Sequence, residues 1–150
     1  IYEHPVYWQK IEEETKGSGD IERSTCLFID SENAREHTEE EMIPVENIKG
    51  RLFLVGAEDD SFWETGKYIR RMDERLKERP HTCEYVPLVY EHGTHFVLPE
   101  SLLRKALPVG LKFVMRFIFK AAKEYPNECE KTRKDIDRRL SSALKEWREE

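Results

Sequence analysis

Cysteine is scarce in this chain and does not form a recognisable framework. The three cysteines are Cys26, Cys83 and Cys129, and neither their odd number nor their spacing suits a zinc site or a set of disulfides. They predict free thiols in a reducing compartment, and hence a cytoplasmic location. A nucleophilic Cys26 or Cys83 is the weaker interpretation, because Cys83 alternates with Tyr85 along an apolar segment and suits a buried position.

Basic charge and long apolar runs are also in short supply. The 25 Lys and Arg residues are outnumbered by 31 Asp and Glu residues, which gives a formal net charge of −6. Because nucleic-acid phosphates attract basic surfaces, we expect no nucleic-acid partner. The most apolar stretch, residues 107–123, includes Lys112 and Arg116 and is too short for a membrane span, so none is expected. The acidic run Glu39–Glu41 predicts a solvated face rather than a metal site, and no motif indicates a cofactor.

What the chain does contain is a strand–helix–strand pattern between residues 50 and 95. Residues 51–56 form a short apolar run of the kind found in a buried parallel strand. Residues 62–79 place apolar side chains at helical spacing and stop before Pro80, and residues 82–90 have the composition of a second strand. This order predicts an α/β fold, with a few-stranded, mostly parallel sheet flanked by helices.

The rest of the chain is predicted to complete one partial α/β domain over residues 1–150. Residues 1–23 are expected to be irregular, and residues 24–150 to form the strand–helix core. Pro87 lies within the second strand; because proline cannot donate a ladder hydrogen bond, this strand is expected at a sheet edge or with a bulge. Further helices are predicted over residues 30–42, 100–105, 107–123 and 128–150, the third of them apolar on several sides and therefore buried.

Acidic and imidazole side chains follow the two predicted strands. Asp59 and Asp60 come after the first strand and His95 after the second. In open α/β sheets ligands bind outside the carboxyl ends of the strands, and an α/β-hydrolase carries its acid and histidine there in this order, after a serine. That serine motif is missing, because no G-x-S-x-G occurs and Gly17-Ser18-Gly19 has the wrong spacing. The pattern therefore predicts the last two members of a triad.

Three segments resemble one known family. They are Met42–Gly56 (MIPVENIKGRLFLVG), Asp59–Trp63 (DDSFW), and Tyr90 followed five residues later by His95. Together they are similar to the C-terminal domain of the acyl-CoA thioester hydrolase / bile acid-CoA:amino acid N-acyltransferase family, an α/β-hydrolase. The pattern of that family is I-P-V-E-x-I-x-G, an aliphatic strand, G-x-D-D-x-x-W, and later Y-P-x-x-G-H. The resemblance covers about residues 40–100.

The chain departs from the family pattern in two places. Glu91 and Thr94 stand where the family has proline and glycine, and one extra residue follows the glycine that closes the strand. Counted forward from that glycine, the family's acid is Asp59; counted back from Trp63, it is Asp60. We prefer Asp60, on the expectation that helix packing fixes the tryptophan while a turn absorbs an insertion. The other aspartate, or the serine after it, is then expected to cap the following helix.

The resemblance implies a catalytic triad of which this chain holds two members. His95 is the expected general base, Asp60 (or Asp59) is its acid partner, and the serine lies outside the chain. His92 is the local rival, but it follows Tyr90 by two residues rather than five. The implied activity is hydrolysis or transfer of the acyl group of an acyl-CoA thioester. A carboxylesterase or peptidase of the same fold, and a non-catalytic assembly module, are the alternatives.

The chain length and the start at Ile1 predict a carboxyl-terminal fragment of a larger enzyme. Without its serine, the fragment is expected to be inactive. An exposed sheet edge or the apolar helix at residues 107–123 is expected to hold it as a homodimer. In the whole enzyme that helix would either roof an acyl pocket or lie in the core. The sequence names no substrate-binding residue and does not distinguish hydrolysis from transfer.

Overall fold

The computed structural model describes residues 38–149 of the chain. Two units are distinguished, residues 1–43 with 61–63 and residues 44–60 with 64–150. The second unit carries all the strands and α-helices of the described part. These are β1 (Arg51–Ala57), α1 (Thr65–Glu78), β2 (Glu84–Tyr90), α2 (Glu100–Ala106), α3 (Leu111–Ile118), α4 (Lys120–Glu124) and α5 (Pro126–Glu149).

The described part of the first unit is small. Glu39–Glu41 forms one turn of 3-10 helix, at the end of the helix that the sequence predicts over residues 30–42. The rest of that helix, Cys26 and the irregular segment predicted for residues 1–23 lie outside the described residues.

β1 and β2 lie side by side and run parallel, with α1 in the connection between them. Their register pairs Arg51 with Glu84 at one end and Ala57 with Tyr90 at the other. A parallel pair needs a crossover of this kind, because both strands must begin at the same end of the sheet. The predicted α/β fold with parallel strands is confirmed.

Pro87 lies in the kind of strand that was expected for it. It stands opposite Leu54 in the register, and within the described residues the sheet has two strands, so β2 pairs with β1 alone. β2 is therefore an edge strand in this part of the chain, which suits a strand that contains a proline.

β1 is buried mainly at its carboxyl end. Gly56 and Ala57 are buried, whereas residues 51–55 are half-buried, so the predicted burial of the whole strand is wrong. A sheet this narrow does not cover β1 along its full length. The tightest contact is at Gly56, where a Cβ atom would lie 2.7 Å from the carbonyl oxygen of Thr65. The end of the strand and the first turn of α1 thus touch backbone to backbone.

Gly56→Ala is expected to lower the free energy of unfolding by about 2 kcal/mol. The new methyl group would meet backbone atoms of Thr65, which cannot turn aside as the end of a side chain can. Gly66→Ala is the matched control, because its methyl group would meet chiefly the carboxylate of Glu58, 2.9 Å away on a flexible side chain. Urea unfolding of both variants measures the two costs. Equal losses of unfolding free energy in the two variants would contradict the backbone contact between Gly56 and Thr65.

α1 begins later than the sequence indicates. Its first residue is Thr65 rather than Phe62, with Glu64 at the N-cap position and no side-chain capping bond. The predicted cap by Ser61 or by one of the two aspartates is therefore wrong. The aspartates instead bond to the segment that follows β2, as described below. The helix ends just before Pro80, as predicted, because proline cannot continue it.

One side of α1 packs on the segment that leads into β1. Leu76 is buried in one apolar cluster with Val45 and Cys83. Beside that cluster, the guanidinium of Arg75 donates two hydrogen bonds to the carboxylate of Glu46, at 2.5 and 2.6 Å. These bonds hold the pKa of Glu46 down at about 2. Apolar and ionic contacts together fix α1 against the entry to the sheet.

α2 and α5 are joined by polar contacts at the start of α2. The carboxylate of Asp137 on α5 accepts hydrogen bonds from the backbone N of Ser101 at 3.1 Å and from its Oγ at 2.7 Å. It thereby satisfies one of the free donors of the first helical turn. Beneath it, the buried Arg133 places its Nε 2.7 Å from Oε2 of the buried Glu100. Loss of Glu100 would leave the buried charge of Arg133 without this partner, whereas Glu100 would keep its 2.8 Å contact with Arg104 if Arg133 were lost.

The single buried helix predicted over residues 107–123 is wrong. α3 ends at Ile118, Phe119 is extended with φ −113° and ψ 125°, and α4 follows. Phe119 is 1% exposed, whereas Phe113 and Phe117 are 75% and 81% exposed. A helix on the surface of a small domain buries one face only, so apolar residues on its other faces remain in contact with solvent. Within the described residues, no helix is long and apolar enough to cross a membrane.

α5 is the longest helix of the described part. Pro126 occupies its first position, where a missing N–H costs no helical hydrogen bond, so the helix starts before the predicted Glu128. Cys129 is buried on this helix, and burial raises the pKa of its thiol to about 11. Cys83 and Cys129 are both free thiols, as predicted. Leu144, further along this helix, is 52% exposed.

Candidate active site

The segments that follow β1 and β2 lie next to each other. The two strands are parallel and end together at Ala57 and Tyr90, and the backbone N of Glu58 donates a hydrogen bond to the carbonyl oxygen of Tyr90 at 2.8 Å. The residues after each strand are therefore brought to one edge of the sheet, where open α/β sheets bind their ligands.

Asp60 and His95 meet at this edge. The Nδ1 atom of His95 lies 3.2 and 3.3 Å from the two carboxylate oxygens of Asp60. The side chain of Asp60 is fully buried, and that of His95 is 23% exposed. The hydroxyl of Thr65 donates a 2.8 Å hydrogen bond to Asp60 Oδ2. The carboxylate is thus held by the first residue of α1 and faces one nitrogen of an imidazole that solvent reaches in part.

Asp59 and His92 form a second pair beside the first. One carboxylate oxygen of Asp59 accepts hydrogen bonds from the backbone N atoms of Gly93 and Thr94, at 2.9 and 2.8 Å. The other oxygen lies 3.3 Å from Nδ1 of His92. The His92 ring stacks on Tyr125, with centroids 3.9 Å apart and planes within 9°. Asp59 therefore fixes the backbone of the segment that carries His95.

The two pairs differ in what their carboxylates contact. Asp60 binds the ring of His95 with both oxygens, whereas Asp59 uses one oxygen for backbone donors alone. The ring of His92 lies between Asp59 and Tyr125, and its Nε2 is 3.8 Å from Glu91. The first pair therefore joins a buried carboxylate to a partly exposed imidazole, and the carboxylate of the second pair also binds the backbone of the segment that carries His95.

Asp60 was preferred in the sequence because helix packing was expected to fix Trp63, and this reason is wrong. Trp63 precedes α1 rather than lying on it, and its side chain is 49% exposed. The expectation that Trp63 is a residue of the helix is therefore wrong. The preference for Asp60 over Asp59 depends instead on the contacts that each carboxylate makes.

Thr94 adopts a backbone conformation that threonine rarely takes. Its φ is +61°, in the left-handed region, where a β-branched side chain is strained. The residue is fully buried, and its Oγ1 accepts a 3.2 Å hydrogen bond from the backbone N of Phe96. The family pattern has glycine at this position, and glycine reaches this φ without strain. Thr94, which departs from the family pattern, thus lies at a position where the backbone conformation favours glycine.

Thr94→Gly is expected to preserve the segment and to cost less than about 1 kcal/mol in the free energy of unfolding. Release of the left-handed strain offsets the loss of a buried methyl group and of the bond to Phe96. Thr94→Val is the control, because it keeps the branched side chain and removes the hydroxyl. Thermal unfolding compares them, and a glycine variant less stable than the valine variant would contradict the strain.

Tyr90 ties the end of β2 to α5. Its hydroxyl donates a 2.8 Å hydrogen bond to Asp135, and burial together with that carboxylate raises the pKa of Tyr90 to about 12. Burial acts to raise the pKa of Asp135 as well, but hydrogen bonds from Arg139, Arg138 and Tyr90 outweigh it and lower the value from 3.8 to about 2. The contact therefore joins a neutral phenol to an ionised carboxylate across a wide pH range.

The Asp135 contact predicts an acid-dependent loss of stability. Because the pKa of Asp135 is lower in the folded chain than its ordinary 3.8, its contribution is present above about pH 4 and is lost as the pH falls towards 2. After allowance for solvent screening, Asp135→Asn should lower the free energy of unfolding by about 1 kcal/mol at neutral pH. Urea unfolding at several pH values measures the difference. The difference in unfolding free energy should disappear as the pH approaches 2. A difference that stays constant with pH would contradict the lowered pKa of Asp135.

Three supporting residues were missed by the sequence analysis. Thr65 lies five residues after Asp60, and Thr132 donates a 2.5 Å hydrogen bond to the carbonyl oxygen of His92 from 40 residues away. Asp135 bonds to a tyrosine 45 residues distant. The sequence could have indicated Thr65, because a threonine shortly after the acid is close enough to bond to it. The two contacts made by Thr132 and Asp135 on α5 cannot be read from the sequence around the site. Among residues 38–149, no group of three or more His, Cys, Asp or Glu side chains is placed to hold a metal ion.

The fold and the match to known proteins define the class of this chain. Parallel strands joined by a helix, with functional side chains past their carboxyl ends, are typical of an α/β-hydrolase-type domain. The family model described as BAAT / Acyl-CoA thioester hydrolase C terminal matches residues 9–101. The chain belongs to that family, whose name denotes hydrolases of acyl-CoA thioesters. Neither the curated proteins nor the solved structures that were compared with the chain gave a match.

The match covers both pairs of the candidate site. Residues 9–101 include the segments that hold Asp59, Asp60, His92 and His95, and they stop at the second residue of α2. The helices α3, α4 and α5 lie beyond the match. Family membership therefore bears on the two strands and their terminal segments, and the later helices are understood from their own contacts.

Proposed function

We propose that this chain supplies the acid and the histidine of a Ser–Asp–His triad that cleaves or transfers the acyl group of acyl-CoA thioesters. The observation that carries the proposal is the buried carboxylate of Asp60 against Nδ1 of His95, at 3.2 and 3.3 Å. Membership of the acyl-CoA thioester hydrolase family supports the substrate class. The serine would come from residues outside this sequence, since no G-x-S-x-G occurs in it.

His95 would act as the general base and then as the general acid. With Nδ1 directed at Asp60, the proton of the attacking serine would pass to Nε2, on the other side of the ring. The serine oxygen then bonds to the thioester carbonyl carbon, the C–S bond breaks, and the proton on Nε2 passes to the departing thiolate of coenzyme A. Water, or an amine in a transferase, next gives a proton to Nε2 of His95 as it bonds to the acyl carbon. The acyl–serine bond then breaks, and the proton on Nε2 passes to the serine oxygen, which restores the free serine.

Asp60 would act on the histidine rather than on the substrate. Its carboxylate would accept a hydrogen bond from the Nδ1–H group, which would hold the imidazole in the tautomer that can receive a proton at Nε2. It also stabilises the imidazolium formed during the reaction. The hydroxyl of Thr65 fixes the orientation of the carboxylate. Asp59 would serve as a positioning residue, because its bonds to Gly93 and Thr94 set the course of the segment before His95.

The test of this function measures coenzyme A release from an acyl-CoA thioester. The 150-residue chain alone should release none by the triad route, because it lacks the serine. The same chain joined to the segment that carries the nucleophile motif should release coenzyme A with acyl-enzyme kinetics. Turnover by the chain alone that His95→Ala abolishes would place the nucleophile within these residues. Turnover of carboxylic esters but not thioesters would favour the esterase alternative.

A further inference from the structure

A stripe of apolar side chains stands out from the surface at α3. Val109, Phe113 and Phe117 are 90%, 75% and 81% exposed. They recur at intervals of four residues, through the turn before α3 and along the helix, which places the two phenylalanines on one helical face. The opposite face of α3 is occupied, because Leu111 and Met115 are buried beneath it. The apolar stripe is thus the outward side of a helix whose inward side is packed.

A row of basic residues runs beside the apolar stripe. Lys112 and Arg116 are exposed on α3, and Lys120 is exposed at the start of α4. Lys112 is paired with Glu130 at 2.5 Å, and Lys120 lies 3.9 Å from Glu124. The surrounding sequence reinforces this charge, because residues 101–123 contain no aspartate or glutamate in a chain whose net charge is −6. The Lys and Arg residues in that range are Arg104, Lys105, Lys112, Arg116, Lys120 and Lys123.

We propose that the apolar stripe and the basic row bind the surface of an anionic phospholipid bilayer. Helices that lie in a membrane interface combine exposed Phe or Leu on one face with Lys and Arg on the flanks. The aromatic side chains enter the acyl boundary while the cations remain at the level of the anionic headgroups. α3 has eight residues and a length of about 12 Å, so it lies on a bilayer rather than across it.

The charge of this face selects the bilayer over a second copy of the chain. A two-fold contact between two such faces places each basic row close to its own counterpart, because the same patch is used on both subunits. Like charges held together at an interface oppose association. An anionic bilayer instead complements the excess of cations on this face, since basic residues outnumber the carboxylates paired with them. It also offers a flat apolar layer to side chains that protrude.

The lipid-facing helix is coupled to the candidate active site through aromatic contacts. Phe119, which directly follows α3, meets Phe96 edge to face, with ring centroids 5.5 Å apart. Phe96 in turn meets the His95 ring edge to face at 5.8 Å. Binding of α3 to a bilayer would therefore hold the histidine segment close to the membrane surface. The proposal itself does not depend on the triad, because it concerns residues outside it.

Vesicle co-sedimentation with the full chain tests the proposal. The chain should bind vesicles of phosphatidylcholine mixed with phosphatidylserine, and should bind pure phosphatidylcholine vesicles far less. Phe113→Ser with Phe117→Ser should weaken binding more than about tenfold, and Arg116→Gln about fivefold. These side chains are exposed, so the thermal midpoint should stay unchanged. High salt should weaken binding of the unaltered chain, because the attraction is electrostatic.

Two control variants lie on α5. Leu144→Ser removes another exposed apolar side chain, and Lys145→Gln removes another exposed cation. Both should leave vesicle binding unchanged. Equal binding to neutral and anionic vesicles, or equal losses in the control variants, would overturn the proposal. Competition by free coenzyme A would assign the basic row to the phosphates of a soluble ligand, and a dimer that the double serine variant dissociates would assign the face to self-association. Either result would also overturn it.

Discussion

His95→Ala is expected to lower turnover of an acyl-CoA thioester by about three to four orders of magnitude. The change removes the group that accepts the serine proton and returns it to coenzyme A. The fold should persist, because the side chain is partly exposed and its contacts lie at the edge of the domain. Steady-state kinetics of the full enzyme measures the effect, which should fall on kcat far more than on KM.

His92→Ala is the matched control for that experiment. It removes an imidazole from the same segment, together with its stack on Tyr125 and its contact with Asp59. A loss of stability is expected, because a packed ring is removed, but turnover should remain within about tenfold of the unaltered enzyme. Near-normal activity of the His95 variant, or a larger loss in the His92 variant, would contradict the assignment of the base.

Asp60→Asn is expected to cost about a thousandfold or more in kcat. The amide occupies the same space, but its NH2 group can donate to Nδ1 and so stabilise the tautomer whose proton is on Nε2. In that tautomer the histidine cannot accept the proton of the serine. The buried position of Asp60 makes the effect specific, since solvent does not replace the lost charge.

Asp59→Asn separates the acid from its neighbour in sequence. The amide oxygen can still accept hydrogen bonds from the backbone of Gly93 and Thr94, so the segment should keep its course and turnover should fall by less than about tenfold. Asp59→Ala removes these acceptors and should be worse than Asp59→Asn. If Asp59→Asn proves more damaging than Asp60→Asn, the acid is Asp59 and the extra residue lies after it.

The strand–helix–strand core could be predicted because its signals are local. The apolar run at residues 51–56 and the helical spacing after residue 62 need only a short window of sequence. The parallel pairing followed from the intervening helix, which is a crossover that parallel strands require. The boundary of α1 was misplaced because Phe62 continues the helical spacing, although the helix begins at Thr65.

The later helices were predicted less well because their limits depend on tertiary contacts. Composition makes residues 107–123 one apolar helix, yet Phe119 turns inward to contact Phe96 and the helix breaks there. The roles of Thr132 and Asp135 depend on bonds to the segment around His92 and Tyr90, at least 40 residues away. The spacing of residues within a short window cannot reveal contacts between residues so far apart in the sequence.

The candidate pair itself was predicted from the order of acid and histidine and from the resemblance. The acid was narrowed to two adjacent residues, and sequence could not decide between them, because an insertion in a turn leaves both counts possible. Their contacts differ clearly, since Asp60 faces His95 and Asp59 faces the backbone of the following segment.

The buried thiol of Cys129 gives the chain a built-in reporter of local opening. A thiol reacts with alkylating reagents as its thiolate, and here burial both raises its pKa to about 11 and excludes the reagent. Cys129 lines a small cavity with Met115 and Ala122, so modification requires α5 to separate from α3 and α4. With Cys26 and Cys83 replaced by serine, the rate at which Cys129 is labelled measures how often that separation occurs. The labelling rate measured with and without vesicles would show whether binding to a bilayer makes the separation of α3 and α4 from α5 less frequent.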